Sequence, residues 1–284
     1  MAIANFKPKV WAPQLLIALE KALVYAGPGC VNRDYEGEIA DFGDTVHVVG
    51  LTPPTISTYT PHTDITVEDV DDVDATLVVN VSDYFAFEVD DIEQRQARSG
   101  GAVLSEQARK AAYLLRDKTD QYVAGLMGTA VPGGNQLTGA TIASADQAYN
   151  LLVDLQTKLD DASVPEEGRF VVVTPTFRGW LRKDTRFIAS GDDTAAGVRV
   201  NGIIGEAAGL SVRVSNNAPA GASVGGNASK RLIAGSSIAT SFAEQIAKVE
   251  SARMEKRFAD MVKGLHLYGG KVFRPEALAA VDVN

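Results

Sequence analysis

A single cysteine, Cys30, stands in a chain of 284 residues, so no intramolecular disulfide can form and a reducing compartment is the natural setting. Long apolar runs are missing too. None approaches the roughly 18 residues of a membrane span, and the start Met1-Ala2-Ile3-Ala4-Asn5-Phe6-Lys7-Pro8 lacks the basic head and apolar core of a signal peptide. There are three histidines, His47, His62 and His266, far apart and in no metal-ligand spacing with Cys30. No Walker A or Gly-x-Gly-x-x-Gly sequence occurs, and the acidic run Glu68 to Asp74 lacks the central glycine and closing glutamate of a calcium loop. No cofactor, metal or membrane is therefore expected.

The most informative absence is positive charge. From Asp34 to Gln94 there is no lysine or arginine, while the same 61 residues carry 16 acids. The remaining 20 acids face all 27 bases, so a strongly acidic segment sits in an otherwise mildly basic chain. One reading is a well-solvated hairpin. The other is a segment that lies on the basic surface of a neighbouring copy, steered there by opposite potential.

What is present reads as α+β. Trp11 to Tyr25 has one apolar face, with Pro13 in its first turn, and is predicted helical up to Gly27-Pro28-Gly29. Thr45–Val49 and Ala75–Val81 are predicted strands. Between them, Thr52-Pro53-Pro54 through Pro61-His62-Thr63 is an extended arm with little to bury. Helical spacing runs from Val103 to Met127, about 37 Å at 1.5 Å per residue, with Gly128 and Pro132-Gly133-Gly134 expected to stop it. A second helix starts at Ser144, with Gln147 in a capping box, and runs to Pro165. The strand Phe170–Val173 follows, then a short helix capped by Thr174 and Pro175 and ending near Leu181. Gly191 to Gly209 has the glycine-alanine composition of a mobile loop, Leu210–Val214 is a strand, and Asn216 to Asn227 is a loop. Arg231–Ala234 and Gly264–Tyr268 are the last predicted strands, before Lys271-Val272-Phe273-Arg274-Pro275.

One formal motif is rejected on physical grounds. Gly221-Ala222-Ser223-Val224-Gly225 fits a nucleophile elbow, with Asp260 and His266 downstream. An elbow needs a buried strand leading into a helix. Ser223 follows Ala218-Pro219-Ala220 and precedes Gly226-Asn227-Ala228, which supply neither. A hydrolase using Ser223 is thus a minor alternative. The basic clusters Arg178, Arg182, Lys183, Arg186 and Arg253, Lys256, Arg257 are too sparse for a dedicated nucleic-acid binder in a chain of net charge −9.

Three stretches carry a family resemblance. They are Phe170-Val171-Val172-Val173-Thr174-Pro175 with Trp180 to Phe187, Gly202 to Val212 with Ser215-Asn216-Asn217, and the ending Leu267 to Leu278. In this order, and extended by Trp11–Leu23 and Phe87–Gln94, they resemble the tailed-bacteriophage major capsid proteins of the Hong Kong 97-like fold, closest to podophage-type coats. The resemblance implies an α+β fold with N-terminal arm, extended hairpin loop, long spine helix, peripheral domain and axial domain. The expected divisions are 1–32 for the N-terminal arm and helix, and 33–95 for the acidic hairpin and peripheral strands. Residues 96–143 would hold the spine helix and peripheral domain, 144–235 the axial domain, and 236–284 the return to the peripheral domain, whose closing strand the ending resembles. It further implies a structural subunit, not an enzyme, that forms hexamers and pentamers of an icosahedral shell around double-stranded DNA without sequence-specific binding. Its setting would be the virion capsid, and the host cytoplasm during assembly. A portal protein is an implied partner, and so is a separate scaffolding protein. The roughly 30 residues before the hairpin are too few for a fused scaffold, and no stretch of about 100 is left for an inserted domain.

Assembly contacts are expected at Pro53, Pro54, Tyr59, Asp64, Glu68, Asp69, Asp71 and Asp72 in the hairpin, and at Arg182, Lys183, Arg186 and Arg199 beyond it. The 191–209 loop is expected near the capsomer centre or at an intersubunit contact. Some relatives lock the hairpin through a lysine; this hairpin has none, which predicts a non-covalent shell. The alternative sharing the same fold is an encapsulin-type compartment, which encloses enzymes in place of a genome.

Overall fold

Hydrophobic periodicity divides the chain into three sheets and the helices between them. The computed structural model describes residues 23–34, 45–51, 72–90, 102–184, 205–255 and 257–284, with positions 56, 58 and 64 between. A two-stranded ribbon pairs β1 (Thr45–Leu51) with β2 (Asp72–Val78), from Thr45 opposite Val78 to Leu51 opposite Asp72. This ribbon is the described base of the proline-threonine arm.

The chain turns at Val79-Asn80 into β3 (Val81–Asp90), the edge of a three-stranded antiparallel sheet. Its partners are β9 (Thr240–Arg253) and the central β10 (Ala259–Val272). Strict alternation along β3 turns Ser82, Tyr84, Ala86 and Glu88 outward and Val81, Asp83, Phe85, Phe87 and Val89 inward. The other sheet has six strands in the order β4-β11-β8-β5-β7-β6. These are β4 (Gln136–Ala140), β5 (Arg169–Val173), β6 (Glu206–Ala207), β7 (Leu210–Val214), β8 (Lys230–Ser236) and β11 (Leu278–Val283). The run Phe170–Val173 is fully buried and central, parallel to β7 and antiparallel to β8, as expected of a strand covered on both faces.

Helix α1 (Ala102–Ala130) joins the two larger sheets. Its 29 residues make it about 43 Å long. Ala112, Leu115, Val123, Ala124 and Met127 form its buried stripe. Gly128 does not stop it. That glycine remains helical where a Cβ would meet Pro219 at 3.0 Å, and its carbonyl accepts from Arg231 Nη1 at 2.9 Å. The missing side chain lets the 217–219 segment close over the helix, and Pro132 ends it instead.

Helix α2 (Ala145–Asp161) begins at the expected cap: Ser144 Oγ accepts from Gln147 N at 3.3 Å. The return bond goes from Ala143 N to Gln147 Oε1 at 2.9 Å, so the reciprocal pairing is shifted by one residue. Its buried residues Ala148, Leu152, Leu155 and Leu159 join Phe170, Phe177, Leu232 and Val281 in one continuous core. Helix α3 (Pro175–Leu181) starts as expected, with Thr174 Oγ1 accepting from Phe177 N at 3.3 Å.

Several expectations are corrected. The predicted Trp11–Tyr25 helix lies outside the described residues up to 22, and Leu23 to Tyr25 are non-helical. Ala75–Val81 is not one strand but the end of β2 and the start of β3. Glu206–Ala207, part of the glycine-rich segment, forms an edge hairpin with β7, turning at Ala208 (φ 50°) and Gly209 (φ 70°), the two positive φ values of a two-residue turn. Residues 191–204 lie outside the described set. Of the ending, Leu267–Val272 lies in β10 of the three-stranded sheet, and β11, which follows from Leu278, runs between β4 and β8 of the six-stranded one. Strands β4 and β11 therefore share a sheet with segment 144–235.

Candidate assembly surfaces

Segment 217–229 holds no elbow. Ser223 Oγ donates to Asn227 O at 3.1 Å, Asp260 is paired with Arg253 at 3.3 Å, and His266 is buried in β10. The segment is instead clamped by Asp282, which takes a bidentate pair from Arg231 (2.8 and 2.9 Å) and the Ala222 amide at 3.0 Å. The Arg231 guanidinium holds the Asp282 carboxyl below the usual carboxylate range. Among the described residues, no three His, Cys, Asp or Glu side chains are placed to hold a metal ion.

The root of the acidic segment is fastened twice. On entry, Asp120 of α1 organises the turn at Gly27-Pro28-Gly29. Its Oδ1 accepts the amides of Val24, Tyr25 and Ala26 at 2.9, 2.7 and 3.3 Å, while Oδ2 takes Ser215 Oγ and Asn217 Nδ2 at 3.4 and 3.3 Å. Cys30 is fully buried beside this turn, and burial pushes its thiol up to about 12, so it packs as a small apolar group. Asn32 then joins β9: its amide donates to Thr240 O and its carbonyl accepts from Phe242 N, both at 2.9 Å. Arg33 pairs with Glu244, and its guanidinium lies 5.6 Å from the centre of the Phe242 ring. On return, Gly269 of β10 lies directly under the Val78–Val79 backbone where the ribbon becomes β3.

Beside this root lies an open groove of about 320 Å³ between β3 and the N-terminal half of α1. Phe85, Phe87, Ala111 and Leu115 line its depth; Leu114 and Tyr84 stand on its edges, 65% and 78% exposed. Lys110 and Lys118 rim it, Lys118 paired with Asp83. The spacing Lys110, Leu114, Lys118 puts an exposed leucine between two lysines on one helical stripe, a signal readable in sequence that composition alone hides.

Of the sequence-derived contact residues, the structure brings Arg182 and Lys183 together, exposed just after α3, with Lys183 Nζ 4.2 Å above the Trp180 ring. Asp64 is exposed, and Asp72 opens β2 opposite Leu51. Pro53, Pro54, Tyr59, Glu68, Asp69, Asp71, Arg186 and Arg199 lie outside the described residues.

The sequence matches the family model described as phage capsid protein over residues 71–281. A solved chain of Mycobacterium phage Che8 is 30% identical, with a TM-score of 0.75 over 93% of this chain and 91% of that one. The capsid structure of the cyanophage P-SCSP1u shares the fold at 17% identity and TM-score 0.67, covering 87% and 85%. The virus-like particle from Pyrococcus furiosus shares it at 14% and 0.55, covering 97% and 98%. No curated protein matches the sequence.

Proposed function

The chain belongs to the phage capsid protein family, and from that membership we propose how its copies are joined. It is a structural subunit of the icosahedral head of a tailed phage, not an enzyme, and its place is the virion capsid. An encapsulin-type compartment is not favoured, because the matched family and the 30%-identical chain are both of phages. The Pyrococcus furiosus particle, at 14% identity, shares the fold alone.

In the proposed arrangement the acidic arm reaches over a neighbouring subunit in hexamers and pentamers and enters that neighbour's groove between β3 and α1. One observation carries this reading: the base-free stretch 34–74 ahead of β3 holds 11 of the 16 acids and leaves a root fastened beside a groove with Lys110 and Lys118 on its rim, Lys118 already paired with Asp83 of β3. The stretch Asp64-Ile65-Thr66-Val67-Glu68-Asp69-Val70-Asp71-Asp72 intersperses apolar and acidic residues, which suits an apolar floor with a lysine rim. The six-stranded sheet with α2 and α3 would be the axial domain, presenting Arg182 and Lys183 with Arg186 and Arg199 toward other copies. The three-stranded sheet with α1 would be the peripheral domain. A separate scaffolding protein, a portal protein and enclosed double-stranded DNA complete the reading, with assembly in the host cytoplasm. The net charge of −9 supports a container that does not adhere to its genome.

Cysteines introduced at Val67 and Leu114 test the arm. Oxidised shells of the double variant are expected to run as intersubunit ladders on a denaturing gel, while unmodified shells run as monomers. Closed shells of the double variant that stay monomeric would place the arm elsewhere. Ladders from unmodified shells would contradict non-covalent closure.

A further inference from the structure

The six-stranded sheet carries opposite charge at its two ends. At the end where β5 begins, the turn out of α2 exposes Asp161, Pro165, Glu166 and Glu167. At the other end, Arg178 on α3 is followed by the exposed Arg182 and Lys183, against one buried acid, Asp184. Strand register fixes which end is which. Arg169 opens β5 opposite Ser236 of β8, whereas Lys230, at the far end of β8, pairs with Val283 of β11. Thr174, Thr176 and Trp180 line one pocket with Lys230 and Val283, so α3 stays at that far end. The five residues of β5 between the two ends span roughly 16 Å.

The acidic turn is exposed yet firmly built. Val164 N donates to Leu159 O at 3.0 Å and Ser163 N to Asp160 O at 2.9 Å, closing the helix with Ser163 at φ 55°, a conformation usually left to glycine. Arg169, with a side chain 2% exposed, holds the turn from beneath. Its Nε donates to Pro165 O at 3.0 Å, its Nη2 to Val164 O, and its Nη1 to Asp160 Oδ1 at 2.6 Å. A turn already fixed in one shape loses little freedom on binding. Arg169 engages Asp160, which leaves Asp161, Glu166 and Glu167 facing outward, with Lys158 the nearest base in the chain before them.

The pocket at the other end holds about 220 Å³, walled by Ile142, Phe177 and Trp180. Lys230 lines it, Lys183 Nζ lies over the Trp180 ring, and no aspartate or glutamate is among its described lining residues. On its wall, Asn284 Oδ1 is enclosed and has no hydrogen-bond partner among the described residues, an acceptor that calls for a donor.

We infer that the acidic turn 163–167 of one copy seats in this pocket of the next, with Pro165 against Trp180 and the Glu166 and Glu167 carboxylates meeting Arg182 and Lys183. A plug and a socket at opposite ends of one sheet cannot meet within a subunit. The contact is therefore heterologous and repeats head to tail, closing into a ring. It rests on reading the six-stranded sheet as the axial domain, and it gives Arg182 and Lys183 a partner.

Two charge reversals test the contact: Glu166→Lys with Glu167→Lys in one variant, and Arg182→Glu with Lys183→Glu in the other. All four side chains are exposed, so the unfolding midpoint of the separate subunit should stay within about 3 °C of wild type. Alone, each variant sets like charges across every contact, and ring yield counted by native mass spectrometry should fall more than about tenfold. Co-expressed in equal amounts, the two regain opposite charges only by alternating around the ring. Rings of six should then return and rings of five should not. One chain carrying all four reversals should restore both. Unchanged yield in either variant, or no rings of six from the mixture, overturns the contact. Should a reversed chain not fold, Glu166→Gln with Glu167→Gln must still lower ring yield, and an unchanged yield overturns it as well. A wild type that forms no rings contradicts the axial reading and the contact together, whereas wild-type rings indifferent to the reversals contradict the contact alone.

Discussion

Asp120→Ala is expected to destabilise the subunit by about 4 kcal/mol, placing it in the tail of point-mutant effects. Asp120 is 2% exposed, and one of its oxygens serves three consecutive backbone amides, those of Val24, Tyr25 and Ala26. Removing it orphans donors in a region where Tyr25 and Ala26 have no access to water. Each buried donor left without an acceptor costs about 1–3 kcal/mol. Ser215 and Asn217 lose an acceptor as well, although Asn217 keeps its bond to Asp117 at 2.9 Å. At roughly 3 °C per kcal/mol for a chain of this size, the midpoint should fall by about 10 °C. Asp120→Asn preserves shape and one acceptor oxygen but loses the charge, and should cost about half as much. Thermal unfolding of the unassembled subunit measures both. A loss below about 1 kcal/mol for the alanine variant would mean the turn at Gly27-Pro28-Gly29 is held by something else.

Gly269→Ala should be nearly as damaging, and its effect should reach assembly. A Cβ at this position would lie 2.8 Å from Val79 Cα and 3.0 Å from the Val78 carbonyl carbon, and closer still to the carbonyl oxygen. These are backbone atoms, so no side-chain rotation relieves the overlap. The chain must lift off β10 where the ribbon turns into β3, at a cost of about 3 kcal/mol. That corner also sets the direction in which β1 and β2 leave the sheet. The yield of closed shells should therefore fall further than stability alone explains. Gly125→Ala is the control, in α1 with open space around it. There the better helix propensity of alanine should raise stability by up to about 1 kcal/mol. Equal stability of the two variants would show that the close approach at Gly269 is not a constraint.

The elements legible in the sequence were those whose own residues decide them. The 3.6-residue spacing from Ala108 to Leu126 gives α1, Ser144 caps α2, and Thr174-Pro175 opens α3 after an unbroken apolar run. Strands set by their partners stayed hidden. In β9, Ile246 pairs with His266 but Lys248 with Leu265, so one residue bulges and the two-residue period breaks. β11 reads Leu-Ala-Ala-Val-Asp-Val, too small and too uniformly apolar to separate strand from helix, until β4 and β8 flank it. Gly128 looked like a stop because nothing local shows that Pro219 must pass over it.

The candidate site divides in the same way. Charge asymmetry over 61 residues marked the arm without any structure. The groove did not show, because Lys110 and Lys118 become a rim only when β3 lies alongside α1. The fastening of the root was further out of reach, since Arg33 and Glu244 are 211 positions apart and meet only through the bridge of Asn32 to β9.

Negative-stain electron microscopy of the purified chain, expressed with and without a candidate scaffolding protein, tests the shell-building role most directly. Closed icosahedral particles, or rings of five and six subunits, are the predicted result. A uniform monomer under every assembly condition would contradict it.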